Sequence, residues 1–513
     1  MPQAGQKHTT QEEFQIPWPS EGMNLSAPVH LLPPSQARII ENLYYDYSSG
    51  VLRTRWPFRR YSTTSPNDSG VNGIYYWNDT MFFACNNKLF YLDANKAYVQ
   101  LGDIGTEPPS FLPFHNKLQI ASGIGLQQVD TSTVFSTVSG TGMPTSVKQL
   151  YEQNTRLWAI GNSSYPNYIH GSAVNDETTW SGAGTIYYEL GQSNDEAPLI
   201  GLVKGPSGYI VLFKKGDQQK YTGFLDPNET APVWRVVSNN ESAHIWRGTA
   251  YTANKLWVMD TFCPMAMTGT DATERLVINP DSLVIGARIA SIWDVDTTGF
   301  CVVYPPHAQI WFSPSASSEY IYILHYLTGA LTRFRLFGGL RFYSAFYLPS
   351  TKTLFLGGND GYIYTYDTTG TGAYQDNPDG TNCDYLQRFY SAVFEIWPRY
   401  EHILKKPTRL EYRGLEEGTG KWSFYKNFGA TIIADDFDNV SITYTSSYPT
   451  LYEYRDTTLY SKRDEFLYVS QMRSTEIPYD SPGVDNIQMQ LEVSSGAIEI
   501  RKIDSELARG RKK

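Results

Sequence analysis

A short sequence phrase recurs seven times along the chain and constrains the fold more than any other feature. In each copy, a polar turn carrying Asn, Gly, Lys or Ser leads directly into an apolar run with aromatic content. This order of residues is typical of a β-hairpin. The copies begin roughly 30 to 55 residues apart, a spacing typical of small sheets repeated around an axis. The seven copies are NNKLFYL (86–92), HNKLQIA (115–121), NTRLWAI (154–160), PSGYIVLF (206–213), ANKLWVM (253–259), HAQIWFS (307–313) and TKTLFLG (351–357).

Apolar segments on both sides of these copies predict further strands. GIYYW (73–77) precedes the first copy and AYVQL (97–101) follows it, while RFYSAFYL (341–348) and GYIYTYD (361–367) flank the last. Three strands are visible in each unit, and the longer spacers leave room for a fourth. The pattern therefore predicts an all-β chain with a six- or seven-bladed β-propeller. A stack of two sheets joined by many hairpins is the alternative architecture.

Composition divides the chain near Tyr390. Charged residues number 58 of the first 390 and 36 of the last 123. Near the end, MQLEVSSGAIEIRKI (489–503) alternates apolar and polar residues, which indicates a sheet with one wet face. We predict an N-terminal arm and clasp over 1–72, the propeller over 73–390, a β-sandwich-like domain over 391–505 and a basic tail over 506–513. The tail is either a solvated end or an electrostatic tether to DNA or to an acidic partner.

The predicted clasp has a more specific pattern. Ser35 is placed to cap a short helix that carries Ile39 and Leu43 on one face. Residues 48–50 (SSG) then form a turn, and residues 51–55 form a strand with Arg53 and Arg55 on the same side. Such a segment could join the propeller sheet or a neighbouring subunit.

Charge and cysteine content exclude several classes of protein. The net charge is -10, so a protein that grips a nucleic acid backbone is not expected, although an acidic channel would let DNA slide. The four cysteines are far apart and form no CxxC pair, which favours neither a zinc site nor a disulfide framework. The N-terminus has no signal-peptide pattern and no apolar run approaches about 18 residues, so we expect folding in a reducing cytosol without membrane insertion.

No motif for catalysis, metal or cofactor binding is present. The chain lacks a GxSxG elbow, a P-loop, an HExxH pair and a GxGxxG loop. The eight histidines are isolated, and His307 and His325 are expected to pack or to be solvated. The acidic run at 435–438 lacks the Gly and Glu of a calcium loop, which favours an exposed turn. Residues 65–77 only approximate the Ser-x-Asp repeat of sialidase-type propellers, with the wrong spacing. We therefore predict a protein that is not an enzyme and has no cofactor.

Two stretches carry a resemblance to a known family. The first is 22–61, with GMNLS, LPPSQARIIENLYYDYSSGVLRTRW and a Leu-x-x-Arg strand at 52–55. The second is 168–224, where Asp176 is followed by Trp180, then by Ile-Gly-Leu (200–202) and YIVLFK (209–214). Together with QLEV (490–493), these stretches resemble the tail hub, nozzle and DNA-stabilisation proteins of short-tailed bacteriophages. The resemblance covers about a third of the chain in patches.

The resemblance implies a structural virion protein. Members of that family form a homo-oligomeric ring, usually a hexamer, which binds portal, adaptor and other tail proteins, contacts packaged DNA transiently in its lumen and closes the channel until genome ejection. The location implied is the virion tail, with the host cytoplasm during assembly. Hub and nozzle tip stay open as alternatives.

The clasp supplies the predicted subunit interface. These residues could equally close the monomer's own sheet. A glycan-binding or glycan-hydrolysing tail propeller is the alternative function, and a cellular scaffold propeller is a third. The predicted interface residues are Leu43, Tyr44, Tyr45, Arg53, Arg55, Trp56 and Phe58.

Overall fold

The chain is almost entirely β-structure in the computed structural model. Within the described residues it forms six separate four-stranded sheets, a sheet of ten strands and a sheet of seven strands. The described residues are 11–15, 19–28, 31–46, 50–66, 69–190, 197–205, 209–215, 220–227, 235–238, 243, 245–268, 277–278, 280–336, 338–368, 375–376, 386–391, 394–395, 402–404, 409–416, 418–426, 439–444, 473–474, 486–495 and 497–509.

The N-terminal segment contributes strands and not the predicted helix. The helix prediction from Ser35 is wrong, because Ile39 and Ile40 lie in an extended strand that has a pairing partner on each side. Asn42, with φ of 57°, then ends this strand and starts the next. The strands are β1 (Gln11–Gln15), β2 (Ala37–Glu41), β3 (Leu43–Asp46), β4 (Val51–Thr54) and β5 (Phe58–Arg60).

Seven four-stranded units follow, each an antiparallel meander that starts at the propeller axis. They are blade 1, β6 (Val71–Trp77), β7 (Thr80–Cys85), β8 (Lys88–Leu92) and β9 (Tyr98–Asp103); blade 2, β10 (Ser110–Phe114), β11 (Lys117–Ala121), β12 (Gln127–Asp130) and β13 (Phe135–Thr137); blade 3, β14 (Gln149–Gln153), β15 (Arg156–Ile160), β16 (Tyr168–Gly171) and β17 (Ile186–Glu189); blade 4, β18 (Leu199–Lys204), β19 (Ile210–Lys215), β20 (Lys220–Leu225) and β21 (Arg235–Ser238); blade 5, β22 (Thr249–Thr252), β23 (Lys255–Met259), β24 (Pro264–Thr268) and β25 (Val277–Ile278); blade 6, β26 (Phe300–Tyr304), β27 (Gln309–Ser313), β28 (Tyr320–His325) and β29 (Ala330–Arg335); and blade 7, β30 (Phe342–Leu348), β31 (Thr353–Gly358) and β32 (Ile363–Tyr366) with β5.

This arrangement confirms the all-β propeller predicted from the repeated phrase. Six blades are separate sheets, and blade 6 forms one end of the ten-stranded sheet, so the predicted count of six or seven blades is also confirmed. The predicted fourth strand is present in each described unit. Blade 7 obtains its fourth strand from the N-terminal segment, since Phe58–Arg60 pairs with Ile363–Tyr366.

In four copies of the phrase, two successive turn residues adopt positive φ angles. Asn154 and Thr155 have φ of 56° and 55°, and Ala253 and Asn254 have φ of 50° and 57°. Two successive positive φ values define the type I′ turn that matches the twist of paired strands. In blades 2 to 7 the apolar run is the second strand, whereas in blade 1 it is the third, β8. In blade 1 the turn between the first and second strands lies at Asn78 and Asp79.

Polar side chains join neighbouring first strands around the axis. The Gln149 amide donates to the Leu202 carbonyl at 2.6 Å and accepts from the Leu202 N–H at 2.8 Å, which links blades 3 and 4. The Leu150 N–H donates to Ser110 Oγ at 3.1 Å, which links blades 2 and 3. Ser344 Oγ donates to the Val71 carbonyl at 2.6 Å, which closes the ring between blades 7 and 1. These bonds stand beside apolar packing clusters that fill the spaces between blades.

Helices are few and short in the described part of the chain. The α-helix α1 (Pro280–Ala287) precedes blade 6, and three 3-10 turns lie at Trp246–Gly248, Ala290–Ile292 and Pro305–His307. The turn at Trp246–Gly248 leads directly into the first strand of blade 5, which places its side chains at the axis.

The C-terminal strands divide between the two large sheets. The ten-stranded sheet continues from blade 6 through β2 into the C-terminal region, with order β26-β27-β28-β29-β2-β33-β40-β37-β38 and β34 beside β40. The seven-stranded sheet has order β3-β4-β41-β36-β39, with β1 and β35 beside β41. The C-terminal strands are β33 (Gln387–Ser391), β34 (Phe394–Glu395), β35 (His402–Leu404), β36 (Arg409–Glu416), β37 (Gly418–Lys426), β38 (Asn439–Tyr444), β39 (Arg473–Ser474), β40 (Asn486–Val493) and β41 (Ala497–Arg509).

The clasp lies where these two sheets meet. Ile40 and Phe389 of the ten-stranded sheet share one apolar cluster with Leu43 and Leu52 of the seven-stranded sheet. Strand pairing crosses two of the predicted domain boundaries. Strand β5, in the segment assigned to the clasp, belongs to blade 7, and β33, in the segment assigned to the propeller, pairs with β2 and β40. Residues 506–509 of the predicted tail belong to β41. The β-sandwich-like domain over 391–505 stays a prediction.

Candidate binding site at the propeller axis

The first strands of all seven blades surround a cavity of about 420 Å³ at the axis. Its wall combines aromatic rings with two cationic side chains, and consecutive residues of the first strands contribute to it. The lining residues that define its chemistry are Tyr75, Phe111, Tyr151, Lys204, Trp246, Arg247 and Tyr251. We call this space the axial cavity.

Arg247 crosses the axis at one end of the axial cavity. Its Nη1 donates to the Asn72 carbonyl at 2.8 Å and to the Tyr343 carbonyl at 2.9 Å. Its Nη2 donates to the Thr298 carbonyl at 2.9 Å. These acceptors lie at the beginnings of β6 and β30 and just before β26. One side chain from blade 5 therefore ties together blades 1, 6 and 7.

Arg247 holds its charge without a carboxylate contact in the described part of the chain. Its three acceptors are neutral carbonyl oxygens, and its buried Nε has no hydrogen-bond partner. Burial lowers the pKa of Arg247 to about 10, and the more distant charge of Asp296 opposes this shift. The guanidinium is therefore still positive at neutral pH. The Asp296 carboxylate itself accepts from Thr298 Oγ1 at 2.5 Å and from Ser315 Oγ at 2.8 Å.

The electrostatic balance of the axial cavity is positive. Lys204 and Arg247 line it, and the described lining includes neither Asp nor Glu. Lys204 is the last residue of β18 and is exposed, whereas Arg247 contacts the opposite ends of the first strands. Lys204 therefore enters the axial cavity from the end opposite Arg247.

Aromatic rings form much of the remaining wall. Tyr75 stacks on Phe111 with ring centroids 5.9 Å apart, and it packs against Phe346 at 4.9 Å. Burial raises the pKa of Tyr75 and raises that of Tyr151 to about 12. The hydroxyl of Tyr151 donates to Gln153 Oε1 at 3.2 Å. Both tyrosines are therefore protonated at neutral pH and present neutral, polar-tipped rings.

Aromatic and cationic side chains define the chemistry of the described lining. It contains no carboxylate and no histidine to serve as a general acid and base. Cys301 is the lining thiol, and burial raises its pKa far above its usual value, so it stays protonated and weakly nucleophilic. No group of three metal-ligating side chains occurs among the described residues.

The structure places four of the predicted interface residues inside the monomer. Leu43, Tyr44, Arg55 and Phe58 are each at most 2% exposed. In this position they close the monomer's own sheets. The partly exposed members of the set are Tyr45, Arg53 and Trp56. The subunit interface stays a prediction, and these three residues are the ones through which it can be tested.

Arg55 is the centre of a buried polar network. Its guanidinium pairs with both carboxylate oxygens of Asp376, one of which also accepts from the Phe58 N–H at 2.8 Å. Arg55 Nε donates to Asn42 Oδ1 at 2.9 Å. The Asn42 amide in turn donates to the Leu386 carbonyl at 2.7 Å. The network fixes the start of β5 against blade 7 and the C-terminal sheet.

The two histidines singled out in the sequence have packing roles. His307 lies against Tyr44 and Tyr304, with ring centroids 5.5 and 5.4 Å apart, and burial lowers its pKa. His325 Nδ1 lies 2.8 Å from Thr328 Oγ1, and burial lowers its pKa as well. Asp176 and Trp180 form a structured turn, in which Trp180 Nε1 donates to the Glu177 carbonyl at 2.8 Å. The acidic run at 435–438 and Cys383 lie outside the described residues.

The axial cavity was not found by motif analysis. Arg247 contacts carbonyls of residues 72, 298 and 343, which lie in three other blades, so no local spacing marks it. The sequence feature that marks this site is an arginine next to a tryptophan, directly before the first strand of blade 5, in IWRGT (245–249).

Comparison with known proteins gives distant likenesses only. No family model and no curated protein matches the chain. Similar solved structures include a catalytically inactive virginiamycin B lyase from Staphylococcus aureus with quinupristin, at 10% identity and TM-score 0.43, covering 60% of this chain and 98% of that one. A streptogramin B lyase has 10% identity and TM-score 0.41, covering 61% and 97%. The Pan2 WD40 domain of Neurospora crassa has 10% identity and TM-score 0.38, covering 62% and 95%. Identities and TM-scores as low as these say nothing about the chemistry of this chain.

Among the described residues, no helix has the length and apolar character needed to cross a membrane.

Proposed function

We propose that the chain is a structural virion protein that forms a homo-oligomeric tail hub or nozzle ring below the portal and adaptor. The observation that carries the proposal is the continuous hydrogen-bonded connection from the propeller to the C-terminal region. Strand β2 pairs with β29 of blade 6 on one side and with β33 on the other. We expect a propeller and a second sheet joined in this way to resist bending, as a ring that holds back packaged DNA requires.

The clasp adds a second connection. Strand β5 completes blade 7, while β4, a few residues earlier, pairs with β41 of the seven-stranded sheet. A load applied to the C-terminal sheets is therefore transmitted through backbone hydrogen bonds into the propeller. The resemblance of 22–61 to the clasp of short-tailed phage proteins concerns this same segment.

Imaging of intact particles tests the proposal. An antibody against this chain, used with particles of the phage that encodes it, should label the tail below the portal. Purified chain, or chain bound to the adaptor, should form a ring of about 350 kDa for six copies of 58.0 kDa. Labelling away from the tail, or absence of the chain from particles, would overturn the proposal.

Substitution of a partly exposed clasp residue tests the interface. Arg53→Ala removes a side chain whose ion pair with Asp46 spans 3.5 Å, and it should weaken ring assembly without unfolding the monomer. Lys148→Ala, at an exposed pair with Glu107, is the matched control. Equal assembly by both variants would remove Arg53 from the interface.

A glycan-acting tail propeller is the second candidate function. The aromatic and cationic wall of the axial cavity favours it, because ring stacking and charged hydrogen bonds are common means of holding sugars. Robust cleavage of host polysaccharide by the purified chain would favour this candidate over the structural ring.

A further inference from the structure

The charge of Arg247 points to an anionic ligand in the axial cavity. Arg247 is partly exposed toward the cavity, and a cation that has lost part of its hydration is stabilised by a negative group beside it. The contacts of Arg247 are carbonyl oxygens, and among the described residues no carboxylate lies in ion-pair distance. The side chain lines a cavity and not closed packing, so a ligand could supply the missing charge.

The second cation strengthens this inference. Lys204 lines the opposite end of the same cavity and is exposed. The net charge of -10 repels anions from the chain at long range. The axial cavity, with two cations and no acidic residue in its described lining, is positive where the chain as a whole is negative. Clefts lined by charge of one sign concentrate ligands of the opposite sign.

The shape and walls of the axial cavity narrow the ligand class. Its volume of about 420 Å³ lies within the range of about 300–1,000 Å³ that is usual for small-molecule sites. Tyr75, Tyr151, Tyr251 and Trp246 add aromatic surface and polar ring groups to the wall, which suit a ligand that is itself a polar ring. We propose that the axial cavity binds an acidic sugar unit, with its carboxylate toward Arg247 and its ring against the aromatic wall.

Calorimetry on the full chain tests the proposal with glucuronate, glucose and inorganic phosphate as probes. Glucuronate should bind at least about 10-fold more tightly than glucose, because the two differ in the carboxylate. Equal binding of glucose would overturn the assignment of charge recognition. Phosphate that competes as well as glucuronate would overturn the assignment of a sugar, and absence of glucuronate binding at about 10 mM would overturn the site itself.

Two variants locate the binding. Lys204→Gln alters an exposed side chain and should weaken glucuronate binding by about 3- to 10-fold. Lys96→Gln, in the exposed turn between the two outer strands of blade 1, is the control and should leave the affinity for glucuronate unchanged. Arg247→Gln should abolish binding where the variant folds, as judged by its circular dichroism. If Lys204→Gln binds glucuronate as tightly as the wild type, the proposed location is wrong. This outcome can be read whether or not Arg247→Gln folds. This site does not depend on the ring proposal, and its failure would leave that proposal unaffected.

Discussion

An arginine joins separate parts of the propeller at two places, and the two arginines differ in burial and in charge compensation. At the rim, Arg55 is fully buried and forms a two-pronged pair with Asp376, with Asn42 as a further acceptor. At the axis, Arg247 joins three blades through carbonyl oxygens alone. The rim site is complete within the chain, so its role is structural. At the axial site, Arg247 has no ion-pair partner among the described residues and lies next to open space, which favours binding of an anionic ligand.

The largest effect should come from removing the carboxylate at the rim. Asp376→Asn leaves Arg55 charged, buried and unpaired, and we expect it to lower the free energy of unfolding by about 3–5 kcal/mol in urea titrations. Asp367→Asn is the control, because its pair with Arg59 at 2.6 Å is partly exposed and should cost less than about 1 kcal/mol. Similar losses in both variants would contradict the structural role of the rim pair.

Removal of the axial arginine should cost less. Arg247→Met breaks three hydrogen bonds, but it also removes a partly buried charge, and the freed carbonyls border a cavity that water can enter. We expect a loss of about 1–2 kcal/mol, smaller than that of Asp376→Asn. Differential scanning calorimetry of the two variants under one condition compares them directly. A larger loss at the axis would mean that Arg247 is itself a structural residue and would weaken the case for a ligand.

A third basic side chain, His170, is buried in its neutral form and so does not bring a charge into the interior. His170 in blade 3 is 5% exposed, and burial lowers its pKa to about 4. The unfolded chain takes up this proton below about pH 6.5, so the wild-type protein should lose stability between pH 6.5 and pH 4 relative to His170→Gln. We expect the difference to reach about 2 kcal/mol. A difference that stays constant over this range would show that His170 is charged in the folded protein, as Arg247 is.

The sequence predicted the part of the fold that depends on local geometry. Asn154, Thr155 and Asn254 adopt the positive φ values of a type I′ turn, which residues next to one another in sequence can indicate. The helix at Ser35 was wrong for the opposite reason. Its apolar spacing fits a helix, but pairing with β29 and β33, about 300 residues away, decided in favour of a strand.

The candidate site was beyond sequence reasoning for the same reason. Arg247 is defined by carbonyl oxygens of residues 72, 298 and 343, and any residue type offers a carbonyl. Arg55 was singled out as an interface residue, but its partner Asp376 has no local relation to it. Contacts between blades form only when the propeller ring closes, so the spacing of residues along the sequence does not reveal which charges are compensated.

The smallest expected effect concerns the blade that carries Arg247. Ala253 occupies the first turn position of the blade 5 hairpin with φ of 50°, a left-handed conformation that strains a residue with a Cβ. Ala253→Gly should relieve this strain and raise the free energy of unfolding by about 0.5–1 kcal/mol. Asn154→Gly is the matched control in blade 3, where asparagine already tolerates φ of 56°, and its effect should be smaller. Ala253→Gly should stabilise the Arg247→Met variant by as much as it stabilises the wild type. Equal effects would mean that Arg247 and the blade 5 hairpin contribute independently to the free energy of unfolding. The stability lost in Arg247→Met would then come from the contacts at the axis alone.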